Sequence, residues 1–264
     1  MSSIQAVAGL TLITPAWPAP NPIGAVCTTR LGGVSKPPFD TLNLGRYVND
    51  NPADVTENRF RVRSVLPAEP VWLKQVHGSR VWDADTVTCS EEPIEADAAV
   101  TNQHNRVLAV MAADCLPVLF TSVDGKLIGA AHAGWKGLLA GVLENTVDAM
   151  QAKSGMTAKL DVMVWLGPAI GPSAFEVGED VHLAYGDYAN RVGMPLPADA
   201  FIPITHKPGK YHADLYQLAR QRLQAKGISA IYGGEFCTVQ DQKLFFSHRR
   251  DGVCGRFAAL IWIH

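Results

Sequence analysis

Apolar residues along the chain recur with two periods. Val71 to Val76, Val107 to Met111 and Phe257 to Ile263 read as buried strands, and Gly24 to Thr29 and Leu160 to Leu166 as further strands. Val118 to Ser122 and Leu127 to Ala131 flank Asp124-Gly125, which is a hairpin signal. The helical period is clearest where Leu138, Leu139, Val142, Leu143, Val147 and Met150 form one stripe, so a single helix is expected there, with Gly155 as its terminator. Pro52 opens another helix behind an Asn51 cap, and Pro67 ends it. Asp214 caps a third, whose apolar face includes Leu215, Leu218 and Leu223 and which Gly227 ends. Pro15 to Pro22 is short enough to be an ordered entry loop. Hairpin-joined strands mixed with separate helices predict an α+β fold of layered mixed β-sheets flanked by helices, rather than a doubly wound parallel one.

Composition narrows the partners. At 264 residues and 47% hydrophobic, the chain has ample material for a sizeable core, and no repeat or long linker divides it, so one domain over 1–264 is expected. A net charge of −2 without a Lys/Arg block argues against nucleic acid. The longest apolar runs are too short to span a bilayer, and Met1 to Ala8 has no basic region, so no membrane partner and a cytoplasmic location are expected. Five scattered cysteines, Cys27, Cys89, Cys115, Cys237 and Cys254, suit reduced thiols better than a disulfide framework.

Three segments stand apart: Lys74-Gln75-Val76-His77-Gly78, Ala113-Asp114-Cys115-Leu116-Pro117 and Ala131-His132-Ala133-Gly134-Trp135. Each sets a soft or borderline ligand beside a Gly or Pro turn at the end of an apolar run. Two imidazoles and a thiolate would make a three-ligand zinc site with an open fourth position, the catalytic pattern. The spacing alone leaves the alternative that each is a buried, satisfied side chain, because no CxxC or HExxH pair is present. A thiolate selects zinc or copper(I) over magnesium and calcium. Asp114 is a candidate for orienting a ligand or moving a proton, or else a turn-forming residue. Gly134-Trp135-Lys136-Gly137 leads into a helix, and Lys136 there is a candidate for an anion. Trp72, Trp82, Trp135 and Phe246 are candidates for stacking on a planar base, and core positions otherwise.

The blocks Cys27-Thr28-Thr29-Arg30, Leu42-Asn43-Leu44-Gly45, Val71-Trp72-Leu73-Lys74-Gln75-Val76-His77-Gly78, Ala96-Asp97-Ala98, Ala112-Ala113-Asp114-Cys115-Leu116-Pro117-Val118-Leu119-Phe120, Ala131-His132-Ala133-Gly134-Trp135-Lys136-Gly137, Leu166-Gly167-Pro168-Ala169-Ile170-Gly171-Pro172 and Ser247-His248-Arg249-Arg250-Asp251 closely resemble the YfiH family in order and content. Its members have been called laccase-domain or multicopper polyphenol oxidase-like proteins, purine nucleoside phosphorylases and peptidoglycan editing factor. The resemblance implies a layered α+β fold with a metal in a surface cleft, and zinc bound by His77, Cys115 and His132. It implies phosphorolysis of adenosine, inosine, guanosine and methylthioadenosine, and deamination of adenosine, with small-molecule nucleoside and phosphate as partners of a monomer or homodimer. It also raises Arg30 and Arg249 as oxyanion ligands, since guanidinium groups grip oxyanions in a fork. Lys136 stands where Arg is common in the family, and His248 where an aromatic is common.

Two further readings stay open on the sequence. Cys115 as nucleophile with His132 as base would make a cysteine hydrolase acting on a cell-wall precursor, and a non-catalytic metal-binding module is the other. A copper-dependent polyphenol oxidase is weaker: eight histidines without a His-x-His pair do not supply a multi-copper centre.

Overall fold

The computed structural model describes residues 1–86 and 93–264, and Cys89 lies outside the described residues. Two six-stranded mixed sheets pack face to face. In the first the order is β1 (Ser3–Val7), β2 (Leu10–Thr14), β3 (Ile23–Thr28), β15 (Phe257–Ile263), β7 (Val107–Ala112) and β4 (Pro70–Trp72). In the second it is β14 (Ile231–Gly233), β10 (Val162–Leu166), β8 (Leu116–Ser122), β9 (Ile128–Ala133), β6 (Ala98–Thr101) and β5 (Val81–Asp83). Edge strands β4, β5 and β14 pair in parallel and the remaining pairs of these sheets are antiparallel. A small sheet of β11 (Glu176–Gly178), β13 (Lys210–Ala213) and β12 (Phe201–Pro203) lies beside them.

Four layers explain why the central strands are apolar throughout. Along β15, Phe257, Ala259, Ile261 and Ile263 point between the sheets, while Ala258, Leu260 and Trp262 point outward under α1 (Pro52–Arg63). Along β8, Leu119 faces inward, and Leu116, Val118 and Phe120 meet α2 (Trp135–Leu139), α3 (Val142–Ser154), α4 (Glu179–Val192) and α5 (Leu215–Ala225) on the other side. With period-2 side chains and both faces covered, no position on such a strand is left for water. Each fully buried Leu, Ile or Phe contributes about 1.5–3 kcal/mol of transfer free energy.

Most expected elements form, with two corrections. The apolar stripe from Leu138 to Met150 is two helices rather than one, because Gly141 takes φ +92° and turns the chain between α2 and α3. The strand expected over Val71 to Val76 stops at Trp72. Beyond it the Gln75 amide replaces the backbone pairing: it donates to Met111 O and accepts from Met111 N, both at 2.8 Å. The Asn51 and Asp214 caps form as expected, and so does the Gly155 terminus at φ +65°. Helix α4 and the small sheet were not foreseen, although Val181, Tyr185 and Ala189 of α4 recur at helical spacing. Among the described residues, no helix is long and apolar enough to cross a membrane.

Candidate metal centre

Three neighbouring strand ends build the floor of a cleft. Leu116 pairs with Ala133 and Pro117 with His132, so Cys115, just before β8, lies beside the end of β9. Ala98 pairs with Ala131, and one step further the register sets Asp97 against His132. There His132 N donates to Asp97 O at 2.7 Å, and His132 Nδ1 meets Asp97 Oδ1 at 2.9 Å. This bond assigns Nδ1 to the carboxylate and leaves Nε2 for the cleft. Asp97 is 0% exposed and also accepts the backbone N–H groups of Val76 (3.2 Å), His77 (2.9 Å) and Gly78 (2.7 Å). One carboxylate therefore holds both the buried His132 and the turn that carries the exposed His77.

His77 has φ +62° and Asp114 has φ +89°, conformations uncommon for residues with a Cβ, so both turns are held by their surroundings. The candidate ligand atoms of His77, Cys115 and His132 lie within 4.8 Å of one another. The two imidazoles meet edge to face with centroids 4.8 Å apart. A Cβ on Gly134 would come 2.8 Å from Cys115 Sγ and 3.3 Å from His77 Cδ2, so the backbone after β9 reaches the thiol only as glycine.

Charges at the floor are tuned by this packing. Burial opposes ionisation of Cys115, but His132 and His77 outweigh it and bring the thiol down to about 6. Burial also opposes the His132 imidazolium, but the Cys115 thiolate and Asp97 outweigh it and raise the group to about 9. For Asp97, burial is offset by His132 and the backbone donors, which hold the carboxyl below its ordinary value. A ready thiolate and an imidazole oriented by a carboxylate are what a zinc or copper(I) ligand set requires, so the residues fit a soft or borderline metal.

The cleft above this floor holds about 510 Å³. Its lining includes the aromatics Tyr47, Trp135 and Phe175 and the cations Arg46, Lys74, Arg249 and Arg256. Of the oxyanion candidates, only Arg249 reaches it. Arg30 is turned to structure: Nε donates to Asp40 O (2.9 Å), Nη1 to Gln242 O (3.3 Å), and the group pairs with Asp40 at 3.2 Å and lies over Phe246. Lys136 is exposed on α2 and does not line the cleft, because successive helical positions diverge by about 100° and Trp135 takes the inward direction. Asp114 borders the cleft, but its Oδ1 accepts from Thr238 Oγ1 and its Oδ2 from Arg249 N, both at 2.6 Å, so its carboxylate fastens α6 (His248–Asp251). Of the aromatic candidates, Trp135 alone lines the cleft, whereas Phe246 is core and Trp72 lies under Arg59.

Sequence reasoning gave no role to Asp97, Arg46, Tyr47 or Arg256. For Asp97 a signal existed: a lone acid directly before the apolar strand Ala98–Thr101 has to find a buried partner. For the others there was none, since Arg46 and Tyr47 lie far along the chain from Arg256 and from the ligand segments.

Residues 24–264 match the family described as multi-copper polyphenol oxidoreductase laccase. The chain belongs to this family. Among its relatives are the proteins of Escherichia coli K12 and Shigella flexneri named purine nucleoside phosphorylase YfiH, each 47% identical over 257 residues, which are 96% of this chain and 98% of theirs. A solved YlmD from Geobacillus stearothermophilus superposes with a TM-score of 0.86 at 32% identity over the full length of both chains. A Neisseria meningitidis structure does so with a TM-score of 0.84 at 43% identity, over 96% of this chain and 98% of its own. These neighbours agree with the layered α+β reading and with the YfiH resemblance. Despite the family's description, the described residues of this member hold one three-residue His/Cys group and no second one.

Proposed function

We propose that this protein is a purine nucleoside phosphorylase working at a single zinc site held by His77, Cys115 and His132. The observation that carries the reading is the convergence of these three side chains on the floor of one cleft whose walls carry aromatic rings and cations. The relatives named purine nucleoside phosphorylase support the reaction class. Adenosine, inosine, guanosine and S-methyl-5′-thioadenosine are the substrates of this reading, with adenosine deamination as a second activity. Bound zinc supplies Lewis acidity toward an oxygen or nitrogen of the ligand beside it. The chain itself supplies position and charge. Tyr47 and Trp135 offer faces for a planar base, the cleft arginines, Arg249 among them, offer hydrogen bonds to phosphate, and Asp114 keeps Arg249 in place through α6. In the reaction a phosphate oxygen bonds to C1′ as the bond from C1′ to N9 breaks, and the electron pair leaves with the purine.

Metal analysis of protein purified without added metal, paired with an assay for free purine and ribose 1-phosphate, tests this. About one zinc ion per chain is expected, with release of purine that requires phosphate, and Cys115→Ala should lose both the metal and the activity. Full zinc occupancy in Cys115→Ala, or purine release indifferent to phosphate, would overturn the reading. Copper in place of zinc would favour an oxidase.

One observation favours a second reading. Cys115, His132 and Asp97 are ordered as nucleophile, base and orienting acid, the arrangement of a cysteine hydrolase. In that case the untreated protein alkylates quickly at Cys115 and its activity ignores chelators. With a metal ligand, alkylation is slow until the metal is stripped.

A further inference from the structure

Of the four cations on the cleft, one is held in an ion pair. Lys74 pairs with Glu95 at 3.6 Å. Arg249 extends Nη1 to Glu176 O (2.9 Å) and Ala174 O (3.4 Å) and lies over Phe175. Arg46 and Arg256 come together around Leu44 and Gly45. Leu44 N donates to Arg256 O at 3.0 Å, and Arg256 N donates to Asn43 Oδ1 at 2.8 Å. A Cβ on Gly45 would come 2.9 Å from Arg256 Cγ, so the Arg256 stem lies directly on the backbone that leads to Arg46. Arg256 Nη1 donates to Cys254 O (2.9 Å) and Gly255 O (3.0 Å), which fixes the plane of its fork and leaves Nε and Nη2. Arg46 is exposed to the cleft. Behind them the buried Arg59 gives Nε (2.9 Å) and Nη2 (2.8 Å) to Leu44 O.

Three guanidinium groups thus share one short segment. Among the described residues, the only acid lining the cleft is Asp114, whose two oxygens are both bonded elsewhere. The crowding is felt at Arg59, which burial and then Arg46 bring down to about 10 against the weaker pull of Glu69. Such an arrangement is stabilised by a multivalent oxyanion placed among the forks, and two guanidinium groups suit the tetrahedral face of phosphate better than a single carboxylate does.

We propose that Arg46 and Arg256 form the phosphate-binding wall of the cleft. The assignment rests on the phosphorylase reading for its ligand and deepens it. The test is titration of inorganic phosphate into the metal-loaded protein by calorimetry, together with KM for phosphate and for inosine. Arg46→Ala should weaken phosphate about tenfold or more in both measurements, with the KM for inosine little changed. Arg256→Lys keeps a charge and the packed stem but loses the fork, and should weaken phosphate similarly. Unchanged phosphate affinity in both variants overturns the wall while leaving the phosphorylase reading intact. So does a loss confined to Arg249→Ala, which would move the anion to α6. Phosphate binding that both variants weaken, in a protein that cleaves no nucleoside, upholds the wall and sinks the phosphorylase reading. Intact protein that binds no phosphate overturns both.

Discussion

The β8–β9 hairpin has two ends built from the same pair of strands, and they are held in different ways. At the closed end, Ser122 and Asp124 satisfy the turn with local bonds: Ser122 Oγ donates to Asp124 Oδ1 at 2.6 Å and accepts from Leu127 N at 3.0 Å. Gly125 supplies the left-handed turn at φ +71°. At the open end, Cys115 and His132 find their partners far along the chain. Asp97 and His77 arrive from earlier segments, and Thr238 and Arg249 fasten the Asp114 beside them. A turn can be completed by its own residues, whereas an open strand end leaves directed side chains that other segments must meet. The second situation is what a site needs.

The largest test of that contrast compares thiols in the metal-free protein. His132 and His77 favour the Cys115 thiolate, while burial pushes the Cys27 and Cys254 thiols up. Alkylation of Cys115 should exceed that of either by more than about 100-fold, since the thiolate is the reacting form, and its rate should rise through pH 6 and then level. Equal labelling of the three by mass spectrometry would refute the tuned open end. The same pair sets a stability profile. The depressed thiol contributes stability that is present above its ordinary value of 9.0 and lost as pH falls through about 6. The raised imidazole contributes stability present below 6.5 and lost as pH rises through about 9. Between about 6.5 and 9 the two slopes oppose each other, so this pair should leave the Tm of the metal-free protein flat across that window.

Next in size is Asp97→Asn. Removing the carboxylate that orients a metal-binding imidazole costs about 10–100-fold in metal affinity. Here the same change also loosens the His77 turn, so the upper part of that range is expected in a chelator competition. Metal-free Tm should be measured alongside, and an affinity unchanged from the parent would show that His132 and His77 are held by something other than Asp97.

The smallest effect belongs to the closed end. Gly125→Ala places a Cβ in a left-handed turn, at a cost of about 1–2 kcal/mol. Chemical denaturation should register that loss, while metal affinity and activity stay at parental values. A fall in metal affinity would mean that the two ends are coupled through the strands.

How far the sequence could be read follows the same division. Strands buried on both faces showed themselves because an unbroken apolar run such as Phe257–Ile263 has few other fates. Caps at Asn51 and Asp214 and the turn at Asp124-Gly125 were legible because their bonds close within a few residues. The break at Gly141 was not, since a 3.6-residue stripe continues through a glycine whether the chain bends there or not. His77, Cys115 and His132 could be named from their chemical types and the resemblance of their segments, but not brought together. Register set Cys115 and Asp97 beside His132, and the Asp97 carboxylate drew in the turn that carries His77. Arginines could be counted but not sorted, because a guanidinium reaches far and bonds carbonyls as readily as ligands. Only the folded backbone turned Arg30 to Asp40, and set Arg46 and Arg256 on the cleft. Local periodicity and short-range hydrogen bonds thus determined the elements, and long-range packing decided which side chains share the cleft.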